Sequence, residues 1–153
     1  MTVTLRLATL ADAAFLLRWR NDPLTRANSL SPEAITPEQH AAWLAATLAS
    51  GTRYLYVAEA SFTEAIGTVR LDRLDRPTPT AEVSITVAPE HRGQGWAGPM
   101  LEAVRMEAKA HGITRVVATV KPGNTASLRA FLAAGYRITA PAGVLTLERE
   151  GTR

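Results

Sequence analysis

Residues 3–7 alternate apolar and polar side chains with a period of two, the signature of a half-buried strand. Leu10, Ala14 and Leu17 then recur at helical spacing, so a helix is expected from a cap at Thr9 to about Arg20, with Pro23 ending it. Residues 29–35 follow neither period and read as loop. Thr36-Pro37-Glu38-Gln39 supplies an N-cap, a proline at the first helical position and a glutamine that closes a capping box. The helix that follows runs to Ser50 and stops at Gly51, with Ala41, Leu44, Ala45 and Leu48 as its core stripe.

Residues 53–60 and 65–71 return to strand character and form a hairpin. A proline-containing loop over 75–80 leads to a strand over 81–87. A helix is expected from about Gly98 to Ala110, with Ala97, Leu101, Val104 and Ala108 on its buried side and Gly112 as its cap. Residues 114–120 form a strand rich in β-branched side chains. Residues 124–134 form a last helix with Leu128, Phe131 and Leu132 inward and Gly135 at its end. Residues 136–139 and 144–148 make a closing hairpin over Pro141-Ala142-Gly143. The resulting order is β-α-α-β-β-β-α-β-α-β-β, without repeats or a linker.

Composition narrows the picture. At 153 residues the chain is expected to be one domain, 1–153, large enough for a real core. With 46% apolar and 20% charged residues it does not read as disordered. The lack of cysteine excludes a disulfide framework, a thiolate nucleophile and a Cys-ligated metal. The three histidines are scattered, without HExxH-type spacing, so no metal is expected. The start, Met1-Thr2-Val3-Thr4-Leu5-Arg6, is strand-like and unlike a signal sequence. No run approaches about 18 apolar residues, so no membrane span is expected and a cytoplasmic protein is the default. The net charge of +3 suits an anionic ligand. No basic block with interleaved aromatics points to nucleic acid. The basic residues are nearly all arginine, with Lys109 and Lys121 as the lysines.

The stretch Glu90-His91-Arg92-Gly93-Gln94-Gly95-Trp96-Ala97-Gly98 joins a strand to a helix start. That geometry presents backbone N–H groups at the positive end of a helix dipole, a site suited to pyrophosphate. Two patterns fit the same residues. Gly93, Gly95 and Gly98 make a GxGxxG dinucleotide fingerprint, which also requires an acidic residue about 20 positions on. That region holds residues 116–120 and Lys121, without Asp or Glu, and the loop follows antiparallel strands, so nicotinamide and flavin are disfavoured. The second pattern starts one residue earlier: Arg92-Gly93-Gln94-Gly95-Trp96-Ala97 fits [Q/R]-x-x-G-x-[G/A]. It resembles the acetyl-coenzyme A loop of the GNAT N-acetyltransferase superfamily. Asn124-Thr125-Ala126-Ser127-Leu128-Arg129-Ala130-Phe131-Leu132-Ala133-Ala134-Gly135-Tyr136 resembles that family's second motif, an Asn-led helix ending in Gly-[Phe/Tyr]. The order of elements matches as well, so the resemblance spans essentially the whole chain.

The resemblance implies an α+β fold (an α/β mixed sheet): a central, mostly antiparallel sheet of about seven strands flanked by four helices. It implies acetyl-coenzyme A as co-substrate and direct acetyl transfer to a primary amine. Backbone N–H groups from Gly93 through Gln94, Gly95 and Trp96 to Ala97 would cradle the pyrophosphate, with charge from Arg92. Ile85, Thr86 and Val87 would offer backbone hydrogen bonds to the pantetheine arm. Asn124, Ser127 and Phe131 fall on one stripe of the last helix. Asn124 would contact the cofactor arm, and it equally suits a helix N-cap. Position 131 is where many relatives carry a tyrosine that protonates the thiolate; a phenyl ring cannot. Tyr54 and Tyr56 are acid candidates only by being present on a strand. Glu82 is the candidate general base, lying where several relatives place a carboxylate, though it also suits a solvent-facing strand position.

On the acceptor side, Trp19-Arg20-Asn21-Asp22-Pro23, Asn28-Ser29 and His40-Ala41-Ala42-Trp43 resemble acetyltransferases of nucleotide-linked 4-amino sugars. Glu82-Val83-Ser84-Ile85 and Val120-Lys121-Pro122-Gly123-Asn124 match the same branch. Similar Trp-Arg-Asn-Asp runs occur in relatives that acetylate protein N-termini. Arg20, Asn21, His40 and Trp43 are the substrate-binding candidates. Arg20 suits a phosphate or a pair with Asp22. His40, Trp43 and Thr47 form a stripe that suits stacking on a sugar or base, or ordinary packing. The alternatives are a protein N-terminal acetyltransferase and a non-catalytic coenzyme A module. Nothing in the sequence decides between a monomer and a homodimer.

Overall fold

The computed structural model describes residues 2–140 and 145–150. In them the strand-like segments build one seven-stranded sheet in the order β1-β2-β3-β4-β5-β7-β6. The strands are β1 (Thr4–Leu7), β2 (Arg53–Glu59), β3 (Ala65–Leu74), β4 (Thr80–Val87), β5 (Arg115–Val120), β6 (Arg137–Ala140) and β7 (Leu145–Glu150). All neighbours are antiparallel except β4 and β5. The turn expected at residues 141–143, and Val144, lie outside the described residues.

Among the described residues five α-helices accompany the sheet, against four expected: α1 (Ala13–Arg20), α2 (Pro23–Ala27), α3 (Pro37–Ala49), α4 (Ala97–Ala110) and α5 (Thr125–Ala133). The extra one is α2. Pro23 does end α1, but it also opens a new turn, because Asp22 accepts a hydrogen bond from the Thr25 amide and caps it. No described helix is long and apolar enough to cross a membrane.

α4 packs Met100, Leu101, Val104 and Ala108 onto one face of the sheet, against residues that include Val69, Leu71, Val83, Ala118 and Leu147. α5 adds Phe131 to that core. On the other face α1 and α3 cover β1 and β2, with Leu16, Trp19 and Leu44 against Ala8, Leu55 and Val57. Each fully buried Leu or Val of this kind stabilises the fold by roughly 1.5–3 kcal/mol. Here β3 meets β4 closely: a Cβ on Gly67 would lie 2.3 Å from the Thr86 carbonyl oxygen.

Three helical faces differ from the pattern-based expectation. In α1 the buried positions are Leu16 and Trp19, not Leu10, Ala14 and Leu17; Leu10 is 64% exposed. The cause is Asp12, which is buried and accepts hydrogen bonds from both terminal nitrogens of Arg6 at 2.8 Å and from the Thr9 amide. This ion pair turns Asp12 inward and sets the phase of the helix after it. In α3 the capping box forms as expected, but His40, Leu44 and Thr47 face inward while Ala41 and Ala45 are exposed. The larger side chains bury more surface, so they win the inner face over alanines. In α5, Leu132 is exposed and Phe131 alone is deeply buried.

Candidate active site

β4 and β5 pair over three residues only, Thr80–Glu82 against Arg115–Val117. β4 continues to Val87 with full pairing to β3, and β5 continues to Val120 with full pairing to β7. The sheet therefore splits into two arms beyond Glu82, and the edges of Ile85, Thr86 and Val87 that face β5 have no strand partner. In a sheet interior such backbone groups would be paired; here they are available to an extended ligand that adds as a strand.

The glycine turn sits at the top of the β4 arm. Gly93 and Gly95 adopt φ of +73° and +85°, the left-handed region that glycine enters without strain. They bring the chain into α4 at Trp96, and no side chain caps that helix. Its first N–H groups are left for an anion. The side chains of the turn are occupied elsewhere: Gln94 accepts from the Trp96 indole at 3.1 Å and contacts His91. An open cleft of about 400 Å³ adjoins the turn between the start of α4 and the end of α5, lined by Gly95, Ala97, Gly98, Ala130, Ala133 and Ala134 together with Glu102.

Arg92 is expected to lend charge to this turn. The structure commits its guanidinium to the start of α2, where it donates to the Asp22 carboxylate and, at 2.9 Å, to the Thr25 hydroxyl. That guanidinium lowers the Asp22 carboxyl pKa from its ordinary value. At the other end of α2, Lys121 donates to the Ala27 carbonyl at 3.1 Å. The short helix is thus tied to both arms of the split, to the loop after β4 and to the connection after β5.

Glu82 lies at the fork itself, the last β4 residue paired to β5. Its carboxylate accepts a 2.7 Å hydrogen bond from the Thr119 hydroxyl on β5. Asp72 stands directly opposite it on β3, and Arg70 opposite Ser84, so these side chains share one face of the sheet. Arg53 and Arg70 each donate from Nε to one oxygen of Asp72, at 3.1 and 3.0 Å. Both guanidiniums lie over the Trp43 ring, 5.9 and 5.7 Å from its centroid. Sequence reasoning missed Arg53, Arg70, Asp72 and Thr119. The alternation Val69-Arg70-Leu71-Asp72 places Arg70 and Asp72 on one face, but only the register against β2 and β4 brings them to Trp43 and Glu82.

Trp43 reaches this face, whereas two of the other acceptor candidates hold the fold together. Asn21 clasps Ile35 through both its amide groups, and Arg20 donates to the Ser31 carbonyl at 2.9 Å. Together they fasten the loop before α3 onto α1. His40 is 3% exposed and packs 5.7 Å from Trp43. Burial, and secondarily the charge of Arg20, push its pKa below the ordinary value.

The expected cofactor helix is partly structural. Asn124 caps α5 by accepting from the Ser127 amide at 3.3 Å. Phe131 is 3% exposed and meets Tyr136 edge-on, so its ring belongs to the core and not to the slot. Tyr54 and Tyr56 pack on the α4 side of the sheet, the face opposite the one that carries Glu82. Tyr54 stacks on His111 beyond the C-terminal end of α4, and Tyr56 bonds His111 and Glu107. Burial pushes the Tyr56 hydroxyl well above its ordinary pKa, which makes it a poor acid for a reaction near neutral pH.

Comparison with known proteins agrees with this architecture. The model of the acetyltransferase (GNAT) domain matches residues 2–137. Among solved structures, the chain is similar to a putative phosphinothricin N-acetyltransferase, with 25% identity and a TM-score of 0.83 over 99% of this chain and 100% of that one. It is similar in fold to spermidine N-acetyltransferase from Vibrio cholerae in complex with CoA and spermine, with 17% identity and a TM-score of 0.85 over 97% and 95% of the two chains. The same holds for AAC(6')-Ib in complex with paromomycin and acetyl-CoA, with 21% identity and a TM-score of 0.84 over 98% and 94%. A search of curated proteins by sequence gave no significant match.

Proposed function

We propose, from the premise that this chain belongs to the GNAT acetyltransferase family, that the fork between β4 and β5 takes acetyl-coenzyme A and that the acetyl group passes directly to a small-molecule primary amine. The observation that carries this reading is the split itself. An unpaired β4 edge leads straight to an uncapped helix start preceded by two left-handed glycines. Those features fit an amide-bearing arm that ends in a pyrophosphate. Solved neighbours of the same fold hold CoA or acetyl-CoA, which supports the assignment.

In this reading the amides from Gly93 to Ala97 hold the pyrophosphate, and the backbone of Ile85, Thr86 and Val87 aligns the arm. The co-substrate supplies an activated acetyl thioester. Glu82, steadied by Thr119, takes the proton that the amine must lose as its nitrogen bonds the acetyl carbon and the C–S bond breaks. With Phe131 in place of a phenol, the departing thiolate takes its proton from water.

The finer acceptor reading is a nucleotide-linked 4-amino sugar. Its support is the sequence of the fork strand and of the β5–α5 connection, because Arg20 and Asn21 are engaged with the loop before α3. Calorimetric titration with acetyl-coenzyme A tests the donor half; no binding removes the proposal. Thiol release across amino-sugar nucleotides, free small amines and peptide N-termini tests the acceptor half. Transfer confined to peptides replaces the small-molecule reading with the N-terminal one.

A further inference from the structure

One face of β2, β3 and β4 carries four charged side chains in an uneven arrangement. Glu82 and Asp72 face each other across the two strands, and Arg70 lies one pleat further, opposite Ser84. Arg53 stands beside Asp72 on β2. Asp72 receives only the Nε of each arginine. The end-on forks of both guanidiniums therefore remain. Arg53 uses one corner for a long 3.5 Å contact to the Thr47 hydroxyl. Among the described residues, the two terminal nitrogens of Arg70 have no hydrogen-bond partner. The two carboxylates balance the two guanidiniums in number, but Glu82 is turned to the Thr119 hydroxyl on β5 and Asp72 takes only Nε, so the Arg70 fork is the cationic end of the face left open to a ligand.

This arrangement is more than a surface ion pair. The side chains of Arg53 and Arg70 are 33% and 28% exposed, and the Trp43 ring covers part of both. Partial burial strengthens attraction to an anion, and the shared carboxylate orders both arginines in advance. A planar guanidinium with its fork open matches the two oxygens of a carboxylate or a phosphate. Arg70 and Glu82 are diagonal cross-strand neighbours, about 7–8 Å apart. A small molecule can therefore set its amine at Glu82 and an oxyanion at Arg70.

We propose that Arg70, held by Asp72 and Trp43 with Arg53 beside it, is an oxyanion subsite of the acceptor pocket, so that the amine acetylated here carries a carboxylate or phosphate of its own. This rests on the fork being the acetyl-transfer site. A polycationic amine would meet two arginines on the same face as its attacking nitrogen.

The test uses the full chain with two matched pairs of amines. L-Glutamate is set against L-glutaminamide, and O-phosphoethanolamine against ethanolamine, with spermidine as the polycation. Thiol release from acetyl-coenzyme A gives kcat and KM, and calorimetry with coenzyme A present gives acceptor affinity directly. The charged member of at least one pair is expected to exceed its neutral counterpart by about tenfold in kcat/KM and in affinity. The pair that responds separates carboxylate from phosphate. Arg70→Gln, which keeps the stem on Trp43, should raise KM for the charged amine about tenfold, leave kcat within about twofold and leave acetyl-coenzyme A affinity unchanged. Arg70→Lys should recover part of the loss. Equal use of charged and neutral partners, preference for spermidine, or no oxyanion-dependent binding in either pair overturns the subsite while acetyl-coenzyme A binding still stands. If acetyl-coenzyme A itself does not bind, the function proposed for the fork falls, and the subsite with it.

Discussion

The two sides of the β4–β5 fork are made of different materials. The side assigned to the acetyl donor is largely backbone: an unpaired strand edge, two left-handed glycines and a helix without a side-chain cap. The cleft beside it is lined mostly by glycine and alanine. The side assigned to the acceptor is made of side chains from four separate segments: Trp43 on α3, Arg53 on β2, Arg70 and Asp72 on β3, Glu82 on β4. A backbone site serves any chain that folds into it, so it suits a co-substrate shared across a family. A side-chain site changes with every substitution, so it is where specificity is set. The two should fail independently when perturbed.

The largest separation is expected at Glu82. Glu82→Gln keeps the shape and loses the base, so turnover should fall about a hundredfold or more. Acetyl-coenzyme A affinity by calorimetry should stay within about twofold. Unchanged turnover would remove Glu82 from the reaction.

Gly67→Ala probes the frame shared by both sides. The new Cβ would overlap the Thr86 carbonyl and approach the Met100 side chain at 2.9 Å. The carbonyl belongs to the β4 arm and cannot move without shifting the free edge. Overpacking of this kind costs about 1–3 kcal/mol, read as a lower urea midpoint with unchanged slope. Full stability in this variant would mean that β3 and β4 separate easily, against the rigid arm the donor side requires.

Gly95→Val attacks the donor side alone. A β-branched residue at φ of +85° is strained by about 1–3 kcal/mol, and the turn relieves the strain by changing shape. Acetyl-coenzyme A affinity should drop about tenfold, while the Arg70-dependent affinity for an oxyanion amine should hold. Loss of both together would show that the two sides are one cooperative unit.

The same contrast separates what is legible in the sequence from what is not. The donor side is local in sequence: the turn from Arg92 to Ala97 and the Asn124 helix announce themselves as contiguous motifs, and so do the succession of elements along the chain and the Thr36–Gln39 capping box. Even there, the reading of Arg92 as a phosphate-facing charge misses its ion pair with Asp22, because partners 70 residues apart leave no local signal. The acceptor side is topological. The phases of α1 and α3 depend on a half-buried Arg6–Asp12 pair and on which large side chains win the inner face. Strand register, invisible in one sequence, sets Arg53 against Asp72 and Asp72 against Glu82. Arg20 and Asn21 belong to a run that resembles acceptor-binding segments of the family, and the structure adds contacts to the loop before α3 that the run itself does not signal.

His40 offers the smallest effect and the finest test. It is buried under Trp43 on the acceptor side, and its pKa is pushed below the ordinary 6.5, chiefly by burial and then by Arg20. The folded chain therefore holds the ring neutral at pH values where the unfolded chain has already taken up a proton. The contribution is fully present above pH 6.5 and is lost progressively as pH falls below it toward the lower folded value. The loss is at most about 1.4 kcal/mol for each pH unit in that window. Urea midpoints measured between about pH 7.5 and 5.5 should decline more in the wild-type chain than in His40→Leu, which has nothing to protonate at that position. An equal decline in both would place the titration elsewhere. Because the ring supports Trp43 and not the glycine turn, acceptor affinity should weaken across the same window before acetyl-coenzyme A affinity does. A donor affinity that moved first would tie His40 to the wrong side of the fork.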